Sequence, residues 1–216
     1  LTGDLSDDYT TLKKPRYSHQ VEDDWKLYFN ILQTTPYTYD VLECAGNHDM
    51  WDIKSKDSNH FYLLQYTKTY KRRSDTTQPE KYEFEDIFLV NEDRSKYGGH
   101  PILVMNPFRF PTAHSTLLFY PEPQKSFLDK LEDFLYNKNL TNLIVICHYP
   151  PDMWRKVKST KGKKTIRDMM ANENIDILIT GHTHPDIPKI RHHGTQTGIL
   201  EITGVGGPEH EMIGLV

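Results

Sequence analysis

The chain has 216 residues, which suits one domain with a sizeable core, and its 12 Gly and 13 Pro point to many turns rather than to disorder. A formal net charge of -4 and a pI near 6.3 give no overall drive toward nucleic acid or an anionic membrane surface. The longest apolar runs, such as Leu143 to Cys147, fall far short of the roughly 20 residues needed to cross a bilayer, so no membrane segment is expected within these residues.

In chain order, Gln20 to Thr34 carries Val21, Trp25, Tyr28, Phe29 and Leu32 at helical spacing with Glu22, Asp23 and Asp24 early, and reads as an amphipathic helix. It delivers the chain to a short strand, Val41 to Cys44. Lys54 to Glu80 is polar, and basic from Lys68 to Arg73; a short helix is expected around Asn59 to Tyr70, then a loop. Tyr82 to Val90 and Ile102 to Met105 read as strands of a second sheet, separated by the turn signal Tyr97-Gly98-Gly99. Gln124 to Asn137 gives the clearest helix, with Phe127, Leu128, Leu131, Phe134 and Leu135 on one face and Lys125, Asp129, Lys130, Glu132 and Asp133 on the other. A strand to Cys147, a loop at Pro150-Pro151, a helix around Thr165 to Asn174, and strands at Asp176 to Thr180 and Gly198 to Thr203 complete the order.

Several features have bland readings. Cys44 and Cys147 lie inside apolar segments and read as small buried hydrophobes rather than a disulfide or a thiolate site. His19, His60, His100 and His114 have no motif partner, and His192-His193 looks like a turn between strands. The basic run Arg155 to Lys164 either rims a cleft and attracts phosphate or is a solvated loop, the commoner case. Asn139-Leu140-Thr141 is a glycosylation acceptor sequence, which matters only in a secretory lumen. The compartment is left open.

The chemistry is carried by Gly3-Asp4, Gly46-Asn47-His48-Asp49, His148 and Gly181-His182-Thr183-His184. The last three sit just past apolar segments, as expected for loops converging at one edge of a sheet, and Asp4 lies just inside the start of the chain. Two divalent cations roughly 3.5–4 Å apart repel each other and need an anionic bridge, which Asp4 can supply. Neutral imidazoles and an amide oxygen complete such a site: Asn47, His148 and His182 suit one metal, His184 the other. His48, with Asp49 beside it, is placed to protonate a leaving oxygen while metal-activated water attacks.

This constellation resembles the calcineurin-like metallophosphoesterase superfamily, whose pattern runs D-x-H, G-D-x-x-D, G-N-H-[DE], H, G-H-x-H. The last four elements read here as Gly3-Asp4-Leu5-Ser6-Asp7, Gly46-Asn47-His48-Asp49, His148 and Gly181-His182-Thr183-His184, in family order across most of the chain. The resemblance implies an α/β fold, a layered α/β/β/α sandwich forming a single domain over residues 1–216. It further implies two divalent ions, drawn from Mn, Fe, Zn or Co. The reaction expected is hydrolysis of a phosphate mono- or diester by a hydroxide bridging the metals.

The sequence departs from the pattern in ways that narrow it. No Asp-x-His occurs anywhere, so the expectation is an N-terminally truncated domain that lacks its first strand and holds the His184 metal poorly. Asp8 replaces the Arg that follows G-D-x-x-D in Ser/Thr protein phosphatases, and Asp7 fills the slot where purple acid phosphatases place a Tyr ligand, so both branches are disfavoured. Gly46 to Asp49, Gly181 to His184 and the run Gly198-Ile199-Leu200-Glu201-Ile202 are closer to membrane-anchored eukaryotic phosphoesterases similar to transmembrane protein 62. The alternative function is a non-catalytic binding or scaffold module on the same fold; retention of His48 and Asp49 favours the enzyme.

Overall fold

A computed structural model describes residues 3, 5, 21–34, 41–50, 53–55, 58, 61–67, 69, 86–108, 110, 121–138, 140–183, 189–193 and 199–203. Its six strands are β1 (Ile87–Val90), β2 (Ile102–Met105), β3 (Leu143–Cys147), β4 (Ile175–Thr180), β5 (Lys189–His193) and β6 (Ile199–Thr203). They form one mixed sheet in the order β1-β2-β3-β4-β6-β5. The inner four run parallel, and β1 and β5 lie antiparallel at the two edges.

Unbroken apolar runs such as Ile-Leu-Val-Met and Leu-Ile-Val-Ile-Cys suit a parallel sheet covered on both faces, and β2 is buried throughout while β3 has one half-buried residue. Parallel neighbours need crossovers. Helix α3 (Lys125–Asn137) supplies one between β2 and β3, and α4 (Ile166–Met170) another between β3 and β4. The register sets Met105 beside Cys147, Ile146 beside Ile179 and Thr180 beside Thr203, so the four parallel strands release the chain at one edge.

Two expectations need correction. β1 and β2, expected in a second sheet, belong with the others, and the described strands make a single sheet. Short apolar runs carry no record of their partners, so the pairing of β2 with β3 is not written in either segment alone. His192 and His193 are strand residues, paired with Leu200 and Ile199, rather than a turn.

Helix α1 (Glu22–Thr34) buries Trp25 completely and packs against α2 (Leu63–Tyr66), where Tyr66 donates its hydroxyl to Glu22 at 2.7 Å. No described helix is long and apolar enough to cross a membrane. The segment from Val41 to Gly46 forms no ladder with the sheet, although Glu43, Cys44 and Ala45 are fully buried. Side chains replace the ladder: Thr69 Oγ1 accepts from Glu43 N at 2.7 Å and Asn106 Oδ1 from Ala45 N at 2.8 Å. The buried Glu43 carboxylate accepts from Tyr28 OH at 2.7 Å and from the Thr69 hydroxyl and amide at 2.6 and 2.7 Å. Burial, and then the Glu43 charge, push the Tyr28 phenol far above its ordinary range, so it stays a donor.

The apolar face of α3 (Phe127, Leu128, Leu131 and Leu135) is buried. Its acidic face fastens the basic run. Asp129 accepts from Thr160 N at 2.7 Å, Glu132 from Gly162 N at 3.1 Å, and Lys161 reaches Asp133 at 3.4 Å. Lys164 lies 3.5 Å above the Tyr136 ring. The two carboxylate bonds to backbone N–H fix the path of this loop, while the exposed ion pair contributes little.

Helix α4 begins with a capping box: Thr165 Oγ1 accepts from Asp168 N, and Asp168 Oδ2 accepts from Thr165 N. Those bonds from Thr165 hold the Asp168 carboxyl below its ordinary value. Thr165→Ala is therefore expected to cost about 1 kcal/mol in urea denaturation at pH 7. Because the folded pKa is the lower one, the carboxylate contribution is present above the ordinary carboxylate range and disappears as pH falls through the folded value. The gap between the two proteins should narrow in acid; a gap independent of pH would contradict the box.

Candidate metal centre

Three chain segments end at the same edge of the sheet. β3 runs into His148, β4 into Gly181-His182, and the buried segment ending at Gly46 into Asn47. Asn47 Oδ1 lies 2.7 Å from His148 Nε2 and 2.7 Å from His182 Nδ1, and the two ring nitrogens are 3.1 Å apart. Asn47 is fully buried and His148 is 2 % exposed, so the triangle is shielded on that side. Gly181 N donates to the His148 carbonyl at 2.8 Å, tying the two histidine loops together.

His182 is bent to reach this point. Thr183 N donates to the Gly181 carbonyl at 2.8 Å, closing a three-residue turn centred on His182 with φ at +63°. For a residue with a Cβ, such left-handed backbone costs on the order of 1–3 kcal/mol and persists only where surrounding structure holds it. Part of that surround is Tyr149, fully buried, with its ring centroid 4.4 Å from the ring of His182 and 4.8 Å from that of His148.

The donor set fits a divalent cation. The Asn47 amide turns its oxygen toward both ring nitrogens and leaves Nδ2 buried without a hydrogen-bond partner. An orphaned buried donor costs roughly 1–3 kcal/mol, an arrangement explained if the oxygen is wanted where it is. One oxygen and two imidazole nitrogens without thiolate suit Mn, Fe, Zn or Co. No group of three or more His, Cys, Asp or Glu side chains gathers among the described residues, because the third member of this triangle is an amide.

Asp4 and His184, the remaining expected ligands, lie outside the described residues, as do Asp7 and Asp8. The loop beside Asp4 is nevertheless placed. Leu5 N donates to Asp49 Oδ1 at 2.8 Å, and Gly46 N donates to Asp49 Oδ2 at 2.8 Å. Asp49, fully buried, thus clamps the start of the chain to the loop that carries Asn47. Gly3 has φ at +88°, and a Cβ there would run into the backbone of Ala45 and Gly46, so only glycine allows the approach. His48 lies half-buried in the turn that Met50 N closes onto the Asn47 carbonyl at 3.3 Å.

Three contributors were not singled out from sequence: Asn106, Glu43 and Tyr149. Asn106 is a fully buried amide immediately after β2, the same position past an apolar run that marks His148 after β3. That placement was the available signal. Glu43 gave one too, as a lone carboxylate inside an apolar segment. Tyr149 gave none, since an aromatic residue beside Pro150-Pro151 suits any core.

The profile of the family described as calcineurin-like phosphoesterase matches residues 1–186. The chain belongs to that family. Among solved structures, this calcineurin-like phosphoesterase chain is similar to a dimetal phosphatase from Danio rerio, with a TM-score of 0.53 and 12% identity over 86% of this chain and 67% of that one. At that identity the likeness shows the fold alone. A proposed 5'-nucleotidase from Staphylococcus aureus, solved with alpha-ketoglutarate, overlaps 85% of this chain and 34% of its own length, with 17% identity and a TM-score of 0.35. No curated protein matches the sequence.

Proposed function

We propose that this chain carries a metal-dependent phosphoester hydrolase site in which Asn47, His148 and His182 hold one divalent ion. The observation that carries the reading is the triangle of Asn47 Oδ1, His148 Nε2 and His182 Nδ1 at 2.7, 2.7 and 3.1 Å, bought with an orphaned Asn47 Nδ2. Asp4 is proposed to bridge to a second ion held with His184, making the site dinuclear. When bound, such ions supply Lewis acidity toward phosphoryl oxygens and make water a nucleophile near neutral pH.

The chain's own groups do the rest. Asp49 ties Leu5 to the loop of Asn47 by accepting from Leu5 N and Gly46 N. His48, adjacent to Asn47 in the same turn, is proposed to give its proton to the leaving oxygen. The narrower kinship with phosphoesterases similar to transmembrane protein 62 is also a proposal; it rests on Gly46 to Asp49, Gly181 to His184 and the run that contains β6.

Purified protein should hydrolyse an aryl phosphate ester when Mn is supplied and lose that activity in chelator. Hydrolysis that persists in chelator would sink the mechanism. Tight metal binding without turnover of phosphate mono- or diesters would instead favour a binding module on this fold.

A further inference from the structure

A strained ligand needs a support, and the neighbourhood of His182 holds a specific one. Tyr149 follows His148 directly and is fully buried, with its ring tilted 50° to that of His182 and nearly perpendicular, at 78°, to that of His148. Behind it stand Trp154, 5.1 Å away at 79°, and Phe108, 6.0 Å away. Both are buried, at 5% and 2% exposure, so the Tyr149 ring has little room to withdraw. Its backbone is fixed as well. Cys147 Sγ donates to the Tyr149 carbonyl at 3.3 Å, and Pro150-Pro151 opens the next turn with Pro150 at φ -54°.

Aromatic rings in edge and tilted contact prefer particular orientations, so this packing selects ring angles rather than merely filling volume. The His148 and His182 rings themselves meet at 77° with centroids 5.0 Å apart, each bringing a nitrogen to Asn47 Oδ1. Without the Tyr149 ring, His182 could relax out of its left-handed turn and swing Nδ1 away from that oxygen.

We propose that Tyr149 is a positioning residue for metal binding, its buried ring locking both histidine rings and holding His182 in the strained turn that aims Nδ1 at the site. This rests on the metal-centre reading above. The role is distinct from ligation: Tyr149 touches the ligands, and its effect on a metal passes through them.

The test is a Co²⁺ titration followed by ligand-field absorption, with urea denaturation of the metal-free proteins alongside. Tyr149→Phe, which keeps the ring, should bind Co²⁺ within about threefold of the unaltered chain, whereas Tyr149→Leu should bind about 10–100-fold more weakly with an altered spectrum. Should the Leu variant fail to fold, Tyr149→Met takes its place; failure of both to fold would overturn the proposal in favour of a purely structural ring. A folded Leu or Met variant with unchanged affinity and spectrum would overturn it too, as would a Phe variant as impaired as Leu. Failure of the unaltered chain to take up Co²⁺ would instead bring down the metal reading itself, so the two failures are distinguishable.

Discussion

His48→Ala is expected to lower phosphoester hydrolysis by about 10²–10⁴ while leaving metal content nearly unchanged. In the run Asn47-His48-Asp49 the two flanking residues are fully buried, and His48 is the one that retains contact with solvent. Asn47 spends its oxygen on the histidine pair and Asp49 both of its oxygens on backbone amides. His48 is thus the member of the turn with side-chain surface toward solvent, where it is proposed to meet a substrate oxygen. Esters with acidic leaving groups need little protonation, so they should partly rescue His48→Ala. His182→Ala, which removes a proposed metal ligand, should lose metal and stay unrepaired by such substrates. If His48→Ala strips metal as thoroughly as His182→Ala, or if leaving-group acidity makes no difference to its defect, the assignment of His48 as the acid is wrong.

The second large effect belongs to Asp49. Its buried carboxylate accepts two backbone N–H groups, from Leu5 and Gly46, at 2.8 Å each. Hydrogen bonds to a charged acceptor are worth about 1.5–3 kcal/mol apiece, so Asp49→Ala should destabilise the fold by about 3–6 kcal/mol in urea denaturation. Asp49→Asn keeps one acceptor oxygen but sets an NH₂ against an N–H, and should fall between. Metal affinity should drop with either change, because the loop that aims Asn47 loses its clamp. An Asp49→Ala protein of unchanged stability and metal content but reduced rate would instead support the catalytic role expected of Asp49 beside His48.

Much of this arrangement was legible because burial imposes simple patterns. The apolar stripe from Phe127 to Leu135 could only be a helix against a core, and α3 covers all but the first residue of the expected range. Asn47, His148 and His182 were legible as polar groups placed just after apolar runs, which for His148 and His182 is where the parallel sheet releases its chain. Sheet membership was not. Whether β1 and β2 join β3 depends on register and on a crossover, and local sequence encodes neither. The Val41 to Gly46 segment reads as a strand, yet the N–H groups of Glu43 and Ala45 go to Thr69 and Asn106, 26 and 61 residues away. The basic run offered a cleft rim or a solvated loop; its attachment to Asp129 and Glu132 depends on α3 turning an acidic face toward it, a long-range fact. The expected glycosylation acceptor Asn139 lies outside the described residues.

The proposed ligand triangle also has a history in time. Asn47 is separated from His148 by 101 residues and from His182 by 135. At ribosomal rates of about 5–20 residues per second, 135 residues correspond to roughly 7–27 s between the first ligand's synthesis and the last. Throughout that interval a nascent chain can offer a metal at most two corners of the triangle. Both final corners also depend on β3 and β4 lying side by side, a pairing that comes only after a long loop has closed. On the proposed metal reading, capture would be a late event in the birth of this chain, and an ion held at the triangle would record that the central strands have already paired.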